Sequence, residues 1–109
     1  MLTVIETPIF QSMVASVCSE AEAEEFVLLI SENAQSGEVI PQTGGLRKVR
    51  WSRAGMGKQG GARVIYFTRL ASGEVVLIAV DAKAKFDNMP AAVLKSWKEA
   101  FDGKSRNGR

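Results

Sequence analysis

Between Gly44 and Phe67 the chain reads GGLRKVRWSRAGMGKQGGARVIYF, which carries Arg47, Lys48, Arg50, Arg53, Lys58 and Arg63 and no acidic residue. The nearest carboxylates in sequence are Glu38 before the run and Glu74 after it. Cations at this density repel one another unless a counter-charge is supplied. A phosphate backbone supplies one, and releasing its condensed counterions makes the binding strongly salt-dependent. If residues 46–51 form a strand, Val49 and Trp51 share one face while Lys48 and Arg50 share the other. An antiparallel strand opening at Arg63 would bring a third cation beside that pair. The same charges also suit a solvated sheet face that resists edge-to-edge aggregation. Charge alone leaves both readings open.

Several kinds of chemistry are excluded at the outset. The chain has no His, so neither an imidazole base nor a His-based metal site is available. Its one cysteine, Cys18, cannot form an intramolecular disulfide and reads as a small apolar core residue in a reducing compartment. The glycine-rich run 55–61 matches neither the phosphate loop of nucleotide-hydrolysing enzymes nor a dinucleotide fingerprint, so no cofactor or metal is expected. Trp51, Tyr66, Phe67, Trp97 and Phe101 read as core aromatics more readily than as base-stacking platforms. The N-terminus lacks a basic start followed by an apolar stretch. The longest apolar run, residues 75–80, falls far short of the roughly 20 residues that span a bilayer. A cytoplasmic protein without a membrane partner is expected.

The elements that must position the cations follow from periodicity and punctuation. A chain of 109 residues, 46% hydrophobic and 24% charged, is expected to form one α+β domain over residues 1–109. Its charge is segregated: Glu6, Glu20, Glu22, Glu24, Glu25, Glu32 and Glu38 precede the first cation, Arg47. Residues 2–6 read as a strand, and Pro8 opens a helix over about 8–17. Ser19 and Glu22 have capping-box spacing for a second helix, with Phe26, Leu29 and Ile30 on its apolar side and Gly37 as its stop. Strands are expected at 46–51, 63–70 and 75–81, the last two joined at Ala71-Ser72-Gly73. A C-terminal helix is expected from Pro90 to about Phe101, followed by a frayed polar tail at 103–109.

Beyond its charge, the wording of the central run is distinctive. GEVIPQTGGLRKVRWSRAGMGKQGGARVIYF, residues 37–67, closely resembles the motif of HigB-type toxins in the RelE superfamily of type II toxin–antitoxin systems. Those proteins commonly show G-[DE]-V-I-P-x-T-G-G-L-R-K-[LIV]-R, then a Gly/Lys loop, then G-G-x-R-[VI]-I-Y. The resemblance implies an α+β fold in which two N-terminal helices and a C-terminal helix pack on a four-stranded, mostly antiparallel sheet. It also implies an mRNA interferase, a ribosome-dependent endoribonuclease that cuts mRNA by 2′-hydroxyl attack on phosphate and so inhibits translation.

The implied partners are mRNA on the ribosome and a cognate antitoxin of helix-turn-helix type, with operator DNA reached only through the antitoxin. Arg63 would bind phosphate and stabilise the transition state, Lys48 and Arg50 would form the basic strand facing the substrate, and Arg47, Arg53 and Lys58 would touch RNA or ribosomal backbone. Relatives often read Y-[AG]-K-x-E after the last strand, whereas this chain reads Asp81-Ala82-Lys83-Ala84-Lys85. Lys83 is kept, but Asp81 and Lys85 replace the Tyr and Glu, so either activity is weakened or Lys83 and Lys85 take over proton transfer where the site lowers a Lys pKa. The alternative is a catalytically degraded relative that binds antitoxin and nucleic acid without cleavage. A module that binds free RNA or DNA through the basic face is a further one.

Overall fold

The structure, a computed structural model, describes residues 2–51, 62–81 and 89–106, with residues 102–106 as backbone alone. In chain order the elements are β1 (Thr3–Glu6), α1 (Pro8–Val14), α2 (Glu20–Glu32), β2 (Glu38–Val39), β3 (Arg47–Trp51), β4 (Ala62–Arg69), β5 (Glu74–Asp81) and α3 (Ala91–Arg106). A 3-10 turn, Leu70–Ser72, joins β4 to β5 through Gly73, whose φ of 72° lies in the left-handed region that glycine adopts without strain. The strands form one sheet in the order β1-β5-β4-β3-β2, antiparallel throughout except for the parallel β1–β5 pair.

The expected sheet had four strands, and the structure adds a fifth, β2. Two residues show no periodicity, so this strand left no readable pattern. It forms because the turn after it is held shut. The buried Thr43 hydroxyl donates to the Ile40 carbonyl at 2.6 Å and accepts from the Leu46 N–H at 3.1 Å, while the Ile40 N–H donates to the Leu46 carbonyl at 2.8 Å. Gly44 and Gly45, at φ 78° and 107°, supply the reversal that residues with a Cβ rarely adopt.

Side chains of β4 are buried on both sheet faces, as expected of a central strand. On one face Val64 and Tyr66 pack with Phe10 of α1, with Phe26 and Ile30 of α2, and with Trp51, Val75 and Leu77. On the other, Ile65 and Phe67 pack with Leu46, Val76, Ile78 and Leu94 of α3, and the half-buried Trp97 and Phe101 close over them. The five aromatics therefore pack in or against the core. A register shift in the β4–β5 ladder pairs Ile65 with Ala79 and then Tyr66 with Leu77, so Ile78 is an extra residue. Thr7 secures this irregularity: its hydroxyl donates to the Leu77 carbonyl at 2.8 Å, lies 3.2 Å from that of Ile78, and caps α1 by accepting from the Phe10 N–H.

The helix limits differ from expectation for local reasons. α1 stops at Val14 because the chain then tightens, with the Ser16 and Val17 N–H groups reaching back three residues to Met13 and Val14. The capping box of α2 is present as expected, with reciprocal Ser19–Glu22 bonds of 2.9 and 3.2 Å. Its stop is Asn33 rather than Gly37, and the Asn33 side chain donates to the Leu29 carbonyl at 2.8 Å. α3 continues through Arg106, beyond the expected end and into the segment expected to fray. Once a helix is nucleated, each added residue brings its own backbone bond.

Candidate nucleic-acid interface

The β3–β4 register decides which cations meet. Lys48 lies opposite Ile65, Val49 opposite Val64, Arg50 opposite Arg63 and Trp51 opposite Ala62. Directly opposed residues share a face, so Lys48, Arg50 and Arg63 project from the α3 side of the sheet. Val49 and Trp51 project from the other side, where Trp51 is 7% exposed and its ring lies 4.7 Å from that of Phe26. This is the division expected from strand alternation.

Strand β2 pairs only with Arg47 and Lys48, so the β3 edge beyond Lys48 has no strand neighbour among the described residues. A groove of about 420 Å³ opens there, lined by Ser36, Glu38, Lys48, Val49, Arg50 and Arg63. It combines three cations, one carboxylate and one hydroxyl, the elements needed to hold a phosphodiester and move a proton beside it. Arg50 is exposed, whereas Lys48 and Arg63 are half-buried. Fixed guanidinium donors present a planar fork that fits two phosphate oxygens.

The cluster is not free of acids, as the sequence had implied. Glu38 stands opposite Lys48 across the β2–β3 pair, and Asp81 stands opposite Arg63 across the β4–β5 pair. Arg50, Arg63 and Asp81 thus form one row across β3, β4 and β5, with Glu38 and Lys48 on the same face two residues along β3. Sequence reasoning passed over Glu38 and Ser36 as site residues. The signal for Glu38 was the T-G-G turn: closing the hairpin at Thr43 sets Glu38 across from Lys48.

Arg47 does not join this groove. It lies opposite Tyr66, on the helical-hairpin side of the sheet, and its guanidinium donates to the Gly37 carbonyl at 2.7 Å and the Gln35 carbonyl at 3.3 Å. Those bonds tie the α2–β2 connection to β3. Tyr66 completes the same junction by accepting from the Gly37 N–H at 2.9 Å and donating to the Ala34 carbonyl at 2.8 Å. A Cβ on Gly37 would stand 2.7 Å from the Tyr66 hydroxyl and 2.9 Å from the Lys48 carbonyl, which explains a glycine there. Part of the distinctive run is therefore a folding signature: Gly37, Thr43, Gly44, Gly45, Arg47 and Tyr66 build the hairpin that carries Glu38 and Lys48. Arg53, Lys58, Lys83 and Lys85 lie outside the described residues.

Among the described residues no group of three or more Cys, Asp or Glu side chains could hold a metal ion, and no helix is long and apolar enough to cross a membrane. No model of a known protein family matches the chain. Among solved structures it is similar to a double arginine-to-alanine mutant of the E. coli toxin RelE in the free state, with a TM-score of 0.55 at 11% sequence identity. The alignment covers 79% of this chain and 87% of that one. At this identity the likeness carries the architecture: the chain has a RelE-like α+β fold.

Proposed function

We propose that this chain is the toxin of a type II toxin–antitoxin system, of HigB type, acting in the cytoplasm as an endoribonuclease on mRNA bound to the ribosome. The observation that carries the reading is the convergence of Lys48, Arg50 and Arg63 on one groove, at the edge of β3 in a RelE-like fold. The reaction joins a ribose 2′-oxygen to the neighbouring phosphorus and releases the 5′-oxygen of the next nucleotide, leaving a cyclic phosphate and a 5′-hydroxyl. Arg50 and Arg63 hold the non-bridging oxygens, whose charge grows in the transition state, and this preorganised pair supplies the main stabilisation. Glu38 is the groove's carboxylate and accepts the 2′-hydroxyl proton, while Lys48 opposite it donates toward the leaving oxygen. Lys83 and Lys85, expected to share proton transfer, and Arg53 and Lys58, expected to grip RNA backbone, complete the assignment. The natural restraint on such an enzyme is a cognate antitoxin of helix-turn-helix type, through which operator DNA is reached.

Induced expression without antitoxin tests this reading. It should arrest growth and create new 5′ ends within translated mRNA, seen by primer extension, and Arg63→Ala should abolish both. Unchanged growth and no new ends would sink the enzyme. One observation favours a second reading, a degraded relative that binds antitoxin and RNA without cutting: Asp81 stands opposite Arg63 and opposes an incoming phosphate. Retained RNA binding with no new 5′ ends separates that reading from the first.

A further inference from the structure

A groove of about 780 Å³ lies away from the cations, between α1 and α2. Its α2 flank is Glu20, Ala23, Glu24, Val27 and Leu28, the spacing of a single helical stripe. The opposite flank, Gln11, Val14, Ala15 and Cys18, repeats the same three- and four-residue spacing. This stripe is additional to the one α2 buries, since Phe26 and Ile30 are 1% exposed whereas Leu28 is 57% exposed. The α2 stripe on one flank and α1 with the turn after it on the other, with an apolar floor between them, form a seat for a third helix.

The charge around the seat selects the occupant. Glu6, Glu20 and Glu24 line it, and the chain up to Leu46 contains no Lys or Arg. An acidic or neutral helix would gain only the apolar floor, while a cationic one would also meet the carboxylates of Glu6, Glu20 and Glu24, which favours encounter and register. We infer that the α1–α2 groove docks an amphipathic helix of a partner protein, with leucine-like residues on its inner face and Lys or Arg placed to meet Glu6, Glu20 and Glu24. α2 has 13 residues, so the complementary length is three to four turns, roughly 20 Å. This surface is separate from the RNA groove, and the inference holds whether or not the chain cuts RNA.

Three synthetic peptides of about 15 residues, the length of such a helix, test it against the full isotope-labelled chain by NMR. One is a Leu/Lys amphipathic helix, the second a scramble of the same composition without an apolar face, and the third a Leu/Glu amphipathic helix. The expected result is amide shifts confined to α1, α2 and their turn with the first peptide, at least tenfold weaker binding of the other two, and loss of binding in Glu20→Lys/Glu24→Lys. Leu28→Ser, at an exposed position, should weaken binding while leaving the spectrum folded. Equal binding of the scramble reduces the effect to charge and overturns the inference. So do equal binding of the Leu/Glu helix, shifts centred elsewhere, or no binding at all.

Discussion

Arg50 and Arg63 stand directly opposite one another across the β3–β4 ladder, so two guanidinium-bearing side chains leave the same sheet face as nearest cross-strand neighbours. Like charges so placed destabilise a sheet by roughly 0.2–1 kcal/mol. A phosphate between them turns that repulsion into binding energy.

Removing Arg63 should therefore separate activity from stability. Arg63→Ala is expected to lower cleavage by about 10²–10³-fold, the effect of deleting one preorganised donor. Its thermal midpoint should change little, since relief of the Arg50 repulsion is offset by loss of the cation opposite Asp81. With a non-cleavable 2′-O-methyl oligonucleotide, the slope of log affinity against log salt should fall by about 0.7, one phosphate contact on a single strand. An unchanged slope would remove Arg63 from the interface.

Glu38 should behave in the opposite way. Glu38→Gln keeps shape and hydrogen bonding but cannot accept the proton, so the single-turnover cleavage rate should fall by about 10²–10⁴-fold. Affinity for the 2′-O-methyl strand should hold or improve, since a negative charge leaves the groove. Equal loss of rate and affinity would make Glu38 a support for Lys48 instead of a base.

Asp81 is the test of the second reading, binding without cleavage. Asp81→Asn removes the carboxylate opposite Arg63 and should tighten strand binding by about threefold to tenfold, well under the Coulomb figure at an effective dielectric near 20 because the groove is open to water and salt. A wild type that binds without cutting, together with an Asn variant that cuts, would identify Asp81 as the cause of lost catalysis. No change in affinity would show that Asp81 does not oppose the substrate.

The hairpin junction should be sensitive in denaturant titrations. Tyr66→Phe deletes the partner of both the Gly37 N–H and the Ala34 carbonyl and is expected to cost about 1–3 kcal/mol. Gly37→Ala forces a Cβ against the Tyr66 hydroxyl and the Lys48 carbonyl, with a cost of about 1–3 kcal/mol from overpacking. If the two were combined, the costs should not add, because the hydroxyl that Tyr66→Phe removes is the group the Cβ of Gly37→Ala would strike. Wild-type stability in either single variant would mean that this junction does not hold the hairpin.

Local signals accounted for much of the architecture. The Ser19–Glu22 capping box, Pro8 at a helix start and the alternation through Val49 and Trp51 each concern neighbours within a few residues, and each was legible in the chain. The same holds for the separation of Lys48 and Arg50 from the buried face. Strand β2 was not legible, because two residues have no period and the hairpin depends on the buried Thr43 hydroxyl. Gly37 looked like a helix stop, since close approach by a tyrosine 29 residues later leaves no local trace.

By itself, then, the sequence determined a basic, His-free segment in an α+β chain and the alternation that sends Lys48 and Arg50 to one face. Tertiary structure alone decided the register. Pairing across β2, β3, β4 and β5 set Arg63 beside Arg50 and drew Glu38 and Asp81 into a cluster that had looked free of acids. A one-residue slip in any ladder would have sent each of these side chains to the other side. Register is set by long-range packing and turn closure, so no pattern along the chain contains it.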